Sequence, residues 1–235
     1  MPSGLEVMAL HGFLGRPSDW DLLPWQLVAA EVHRVDLWPA ALSAQSFEDW
    51  PKPARGRTVL LGYSLGGRLA MHALLKEPER YLGAVLISAH PGLVLAEEKV
   101  KRKVSDDLWA AKFRSEPWRE LQSNWNSQSV FQRRASHVHA ALERCEADFQ
   151  REALARALEV WSLSRQRDLR RELAELRKPL LYVTGEDDSK FTGLIHGLEK
   201  GPDHRHVVIK NAGHRVPWDN PDAFVQLLTS WLQNI

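Results

Sequence analysis

Leu60-Leu61-Gly62-Tyr63-Ser64-Leu65-Gly66-Gly67-Arg68 is the stretch on which the fold turns. It holds Gly62-x-Ser64-x-Gly66, the nucleophile-elbow pattern. A β-branched and apolar run, Thr58 to Leu61, leads in, and a helical pattern, Leu69, Ala70, His72, Ala73, Leu74 and Leu75, leads out. The motif requires this strand-turn-helix setting. The turn is tight, so the positions flanking the serine must be glycine to escape steric clash. It lifts the serine hydroxyl above the sheet, and the next backbone N–H, that of Leu65, points at the same space. The expectation is an enzyme with an activated serine.

Working outward, Val7-Met8-Ala9-Leu10 reads as a short buried strand that ends in the loop His11-Gly12-Phe13-Leu14-Gly15. Ser18 or Asp19 caps an expected helix through Trp25 to Ala30. His33 to Leu37 is a second strand; residues 39–57 are proline-rich and irregular, with one helical turn around Phe47 to Trp50. Gly83 to Ser88 is the strand after the elbow helix. From Ala96 to Leu176 charges are dense, and apolar residues such as Leu154, Leu158 and Trp161 recur at helical spacing. Strands resume at Pro179 to Thr184 and His206 to Ile209, and a last helix covers Pro221 to Leu232. Strands alternating with helices predict an α/β class, a parallel sheet with helices on both faces. The expected organisation is one domain over 1–235, with a helical cap inserted at about 93–176 over the strand ends.

Composition narrows the function. A chain of 235 residues buries a sizeable core. Its net charge of +1 suggests neither nucleic acid nor a strongly acidic partner. The single cysteine, Cys145, excludes an intramolecular disulfide and a cysteine-based zinc site, and fits a reducing compartment. The N-terminus lacks the basic start and apolar core of a signal peptide, and no apolar run approaches the ~20 residues that span a bilayer. A cytoplasmic protein without membrane insertion is expected. The ten tryptophans either line an aromatic pocket or pack in the core. The sequence assigns no oligomeric state.

A serine doing acyl- or proton-transfer chemistry needs a base, and the base needs an orienting acid. Gly185-Glu186-Asp187-Asp188 follows one strand and Asn211-Ala212-Gly213-His214 follows the next. Both sit at strand C-terminal ends, where open α/β sheets place their sites. His214 is the expected base and Asp188 the preferred acid, ahead of Asp187 and Glu186. An oxyanion pocket needs two N–H donors. Leu65 supplies one, and Phe13, in the loop after the first strand, the other. The serine-acid-histidine order resembles that of the α/β-hydrolase superfamily over essentially the whole chain.

A closer resemblance lies in an ordered set of segments. Gly62 to Arg68 is followed by His90-Pro91-Gly92-Leu93, Arg102 with Ser105-Asp106, and Glu116-Pro117-Trp118. Then come Ser162-Leu163 with Gln166 and Asp168-Leu169, Gly185-Glu186-x-Asp188-Ser189-Lys190-Phe191, and Ala212-Gly213-His214. The set is similar to the 2-succinyl-6-hydroxy-2,4-cyclohexadiene-1-carboxylate synthase family of menaquinone and phylloquinone biosynthesis. The resemblance implies a lyase that takes no cofactor or metal and eliminates pyruvate from 2-succinyl-5-enolpyruvyl-6-hydroxy-3-cyclohexene-1-carboxylate. It implies Ser64 as the base, His214 and Asp188 raising its basicity, and the Phe13 and Leu65 amides stabilising a dienolate oxygen. The implied partner is a small-molecule polycarboxylate with three carboxylates, which guanidinium groups match in a two-pronged geometry.

Arg68 lies one helical turn after the serine and can face the cleft, although a helix start disfavours cations. Arg102 stands in a basic run that equally describes a solvated face, and Arg144 is the best match to a third family arginine, with slightly different spacing. Trp125 matches a family tryptophan in the helical cap, and the resemblance implies that it packs on the substrate. Tyr63, before the serine, either contacts substrate or supports the elbow. One departure is visible. Family members often carry Gly-His-Gly after the second strand, where this chain reads Asp36-Leu37-Trp38-Pro39-Ala40-Ala41. A carboxylesterase or carbon–carbon bond hydrolase using the same triad is the competing enzyme. A catalytically silent binding protein is the alternative of another class, and the intact Ser64, Asp188 and His214 argue against it.

Overall fold

The computed structural model describes residues 4–50, 57–131 and 144–235. The readings of 51–56 and 132–143, parts of the irregular and helical blocks, lie outside the described residues. Six strands form one parallel sheet: β1 (Leu5–Leu10), β2 (Glu31–Val35), β3 (Arg57–Tyr63), β4 (Tyr81–Ile87), β5 (Leu180–Gly185) and β6 (His204–Ile209). Their order is β2-β1-β3-β4-β5-β6. The chain steps from β1 outward to β2, then returns to the other side of β1 for β3. This reversal opens a crevice at the C-terminal ends of β1 and β3, the place where parallel sheets hold ligands. Leu10 pairs with Gly62 there, so the loop after β1 and the elbow after β3 flank one crevice.

Alternation along the strands builds two cores. Met8, Leu10, Leu60, Leu86 and Tyr182 face one way, and Val7, Ala9, Val59, Leu61, Val85 and Val183 face the other. The helices are α1 (Trp38–Ala41), α2 (Leu65–Lys76), α3 (Ala96–Ser115), α4 (Trp118–Asn126), α5 (Arg151–Val160), α6 (Arg170–Glu175), α7 (Ser189–His196), α8 (Val216–Asp219) and α9 (Pro221–Leu232). Residues of α1 to α6 join the first core, while α8 and α9 join the second through Trp218, Phe224, Leu228 and Trp231. No helix among the described residues is long and apolar enough to cross a membrane.

Local departures from the expected elements have local causes. The expected helix through Trp25 to Ala30 is two 3₁₀ turns, Pro17–Leu22 and Trp25–Leu27. Pro24 separates them, because the residue before a proline avoids the helical region, and Leu23 is extended at ψ 149°. The second strand ends at Val35, two residues early, and Trp38–Ala41 forms a short helix instead. Phe47 to Trp50 make no helical turn; Asp49 accepts from the N–H groups of Gln45 and Ser46, a side-chain turn that replaces it.

Two glycines fix how the loops meet. A Cβ on Gly66 would lie 2.3 Å from the Leu10 carbonyl, so α2 starts against the end of β1. A Cβ on Gly185 would lie 2.3 Å from the carbonyl oxygens of both Ala212 and Gly213. The loop after β5 is therefore pressed onto the loop after β6. Gly185→Ala is expected to cost about 3 kcal/mol, the upper range for overpacking, because backbone rather than a side chain must move. Urea denaturation checks this, and an unchanged midpoint would contradict the close approach.

Candidate active site

Ser64 ends β3 and begins α2 at φ 51° and ψ −106°, a backbone conformation that costs energy for a residue with a side chain. Its N–H donates to the Ile87 carbonyl at 2.9 Å, and its carbonyl accepts from the Arg68 N–H at 3.1 Å. The elbow is thus tied to β4 on one side and to the first turn of α2 on the other. Leu65 opens α2, so its N–H belongs to the first-turn donors that a helix leaves free.

The acid and the histidine arrive from β5 and β6. His214 Nε2 lies 3.4 Å from Ser64 Oγ, and His214 Nδ1 lies 2.9 Å from Asp188 Oδ2. Asp188 and His214 are both buried, whereas Glu186 and Asp187 are exposed. Geometry therefore selects Asp188 from the three acids. The carboxylate partner assigns the proton to Nδ1, which leaves Nε2 free to accept from the serine. The 3.4 Å separation is long, as such bonds often are without substrate. Ser88, at the end of β4, donates its hydroxyl to the same Asp188 Oδ2 at 2.8 Å. Its part is absent from the motif reading, because a serine after an apolar strand carries no distinctive signal.

Phe13, Ser64, Leu65, Arg68, Arg102, Trp125 and His214 line one cavity of ≈ 240 Å³. The loop that brings in Phe13 is braced by His11, which is fully buried. The Leu37 N–H donates to His11 Nε2 at 3.2 Å, so Nδ1 carries the proton and donates to the Gly12 carbonyl at 2.9 Å. The first histidine of the loop is a structural pin.

The two cavity arginines differ. Arg68 is buried, and its Nη1 donates to Gln166 Oε1 at 3.2 Å. Burial, with Arg102 adding repulsion, lowers its pKa to about 9, so it remains a cation at neutral pH. Arg102 is more open and grips Asp106 through Nε at 2.8 and 2.9 Å. Asp106, itself buried, also accepts from Ser162 Oγ at 2.7 Å. His90 borders the same cavity, and burial followed by the nearby arginines pushes its pKa down to about 3, leaving a neutral imidazole. Trp125 packs on Phe13 with ring centroids 4.6 Å apart.

Two expected residues stand elsewhere. Arg144 does not line the serine cavity. It faces a small adjoining one of ≈ 30 Å³, where Nη2 holds Asp19 at 2.7 Å and Nε donates to the Leu14 carbonyl at 2.5 Å. Asp19 is 3% exposed, and a buried carboxylate needs a counter-charge; that demand takes Arg144. Tyr63 borders the same adjoining cavity, against Trp218 at 5.1 Å and the His214 ring at 5.6 Å. Of its two open readings, this position favours support of the elbow and imidazole, and burial holds its hydroxyl protonated.

The alpha/beta hydrolase family profile matches residues 7–227. The 2-succinyl-6-hydroxy-2,4-cyclohexadiene-1-carboxylate synthases of Salmonella paratyphi B and Salmonella typhimurium are each 34% identical over 244 aligned positions, covering 99% of this chain and 95% of theirs. MenH from S. aureus superposes with a TM-score of 0.85 at 19% identity, over 100% of this chain and 95% of that one. A thermophilic esterase from Thermogutta terrifontis, with malate bound, superposes at 0.77 and 22% identity, over 99% and 90%. These structural likenesses show a shared fold.

Arg144→Met is expected to destabilise the protein by about 2–3 kcal/mol, because buried Asp19 would keep only the Arg16 N–H and the more distant Arg16 guanidinium. Chemical denaturation measures this, and a loss below about 1 kcal/mol, the worth of an exposed pair, would contradict the structural reading of Arg144.

Proposed function

The chain belongs to the alpha/beta hydrolase family and, within it, to the 2-succinyl-6-hydroxy-2,4-cyclohexadiene-1-carboxylate synthases, and from that premise we propose how its residues perform the elimination. The reaction converts 2-succinyl-5-enolpyruvyl-6-hydroxy-3-cyclohexene-1-carboxylate to the diene and pyruvate, a lyase step of menaquinone biosynthesis. The hydrogen at C2 is acidified by the neighbouring succinyl ketone. Ser64 Oγ takes it while passing its own proton to His214 Nε2, and Asp188 stabilises the imidazolium. The C2–H pair becomes the C2–C3 double bond, the C3–C4 pair moves to C4–C5, and the C5–O bond breaks. The enolate of pyruvate leaves and recovers a proton. The Phe13 and Leu65 amides stabilise the charge that develops on the ketone oxygen. No acyl-enzyme forms.

One observation favours this chemistry over ester hydrolysis. Arg68 is a buried cation whose charge no carboxylate of the described residues meets within ion-pair distance, beside the triad. Such a charge is costly in a closed cavity. A polycarboxylate offsets that cost on binding, and a neutral ester does not. The block from about 93 to 176 is read as a cap, a reading supported by Arg102, Asp106 and Trp109 of α3, Trp125 of α4 and Leu158 of α5, which line the cavity. The single cysteine fits a reducing cytoplasm, where we place the reaction.

The test supplies the pathway intermediate and follows pyruvate release in a coupled assay, together with the absorbance of the diene. Wild type is expected to release both products. Ser64→Ala should abolish turnover with the fold intact, and Arg68→Ala should weaken kcat/KM by ~2–3 kcal/mol, the worth of a charge-assisted contact. Turnover of p-nitrophenyl acetate without pyruvate release would support the hydrolase instead.

A further inference from the structure

Gln166 joins two residues that line the cavity, Arg68 and His90. It is fully buried, at 0% exposure. Its Oε1 accepts from Arg68 Nη1 at 3.2 Å, and its Nε2 donates to the His90 carbonyl at 2.9 Å. These partners set the amide direction, since a carbonyl can only accept and a guanidinium can only donate. His90 is fixed in turn, its Nδ1 accepting from the Gly92 N–H at 3.0 Å. Phe47 flanks the guanidinium with its ring centroid 5.6 Å from Cζ. The direct partners of Arg68 among the described residues are therefore neutral, and the carboxylate whose field reaches it, that of Asp106, is already gripped by Arg102.

Arg102 shows the alternative. Its guanidinium meets both oxygens of Asp106, so much of its charge is answered before any ligand arrives. A glutamate at 166 would have nearly the shape of glutamine and would do the same to Arg68. The neutral amide orients the cation and sets no opposite charge directly against it. In a cavity of low dielectric that difference is large, since ion pairs there far exceed hydrogen bonds between an ion and a neutral group.

We propose that Gln166 is a positioning residue that aims Arg68 while sparing its charge for a ligand carboxylate, and that Arg68 rather than Arg102 is the principal carboxylate-binding cation of the cavity. This rests on the reading of the site as one for a polycarboxylate. The role is separable from catalysis: it acts on affinity through Arg68 and has no part in moving the proton.

Calorimetric titration with tricarballylate, a saturated tricarboxylate, tests the proposal alongside thermal unfolding. Wild type should bind, and Gln166→Glu should raise Kd at least about tenfold, the range for losing a charge-assisted contact. Its Tm should lie above that of Gln166→Met, because both variants lose the bond to the His90 carbonyl and only the new carboxylate neutralises the buried cation. A merely structural glutamine would instead lose affinity in step with stability in both variants, with or without Arg68. In the Arg68→Ala background, Gln166→Glu should change Kd by less than about twofold, as two residues acting through one contact require. Should Gln166→Glu fail to fold, Gln166→Met, which removes the anchor, is read through the same cycle: its effect on Kd should vanish in the Arg68→Ala background. No binding by wild type, a Kd in the variant close to wild type, or an effect that persists without Arg68 would each overturn the proposal. Failure of the lyase reading is seen separately, as the absence of pyruvate release by wild type.

Discussion

The backbone of Ser64, held at φ 51°, is the constraint on which the site depends. A serine does not adopt this conformation freely. Here it is imposed by the close approach of Gly66 to the Leu10 carbonyl and by the bond from the Ser64 N–H to Ile87. The strain places the hydroxyl at the end of β3 and frees the first amide of α2 beside it. Everything else is brought to that point: the loop after β1 by its pairing next to β3, and Asp188 and His214 by the contact of Gly185 with the loop after β6.

Charge then decides what the point can do. A Ser-His-Asp set is shared by many activities, so fold and triad leave the chemistry open. The surrounding charges narrow it. Arg68 is buried against a neutral amide, Arg102 is answered by Asp106, and His90 is kept neutral by burial and its cationic neighbours. These charges support the proposed preference for anionic ligand groups near the serine. That preference joins the proton-transfer geometry to the polycarboxylate that the family resemblance implies.

Much of this was legible in the residues, for physical reasons. Buried parallel strands are short apolar runs, and all six were found, with boundaries shifted by a few residues. The meeting of Ser64, His214 and Asp188 is foreshadowed by the order of motifs at strand ends, and the place of Arg68 in the cavity lining by its single helical turn after Ser64. What stayed hidden was pairing between distant segments. Nothing local marks Arg144 as the counter-charge of Asp19, 125 residues away. Nothing local says that Gln166 bridges Arg68 and His90. Pro24 is a visible breaker, and it divides the helix expected from Ser18 or Asp19 through Ala30 into two 3₁₀ turns.

The central claim is that Ser64 removes a proton from carbon and is never acylated. The most direct measurement is single-turnover pyruvate release from substrate deuterated at C2, which isolates the chemical step from product departure. The account predicts a normal primary isotope effect on that rate. Release that is indifferent to the label, with a covalent adduct accumulating on Ser64, would contradict it.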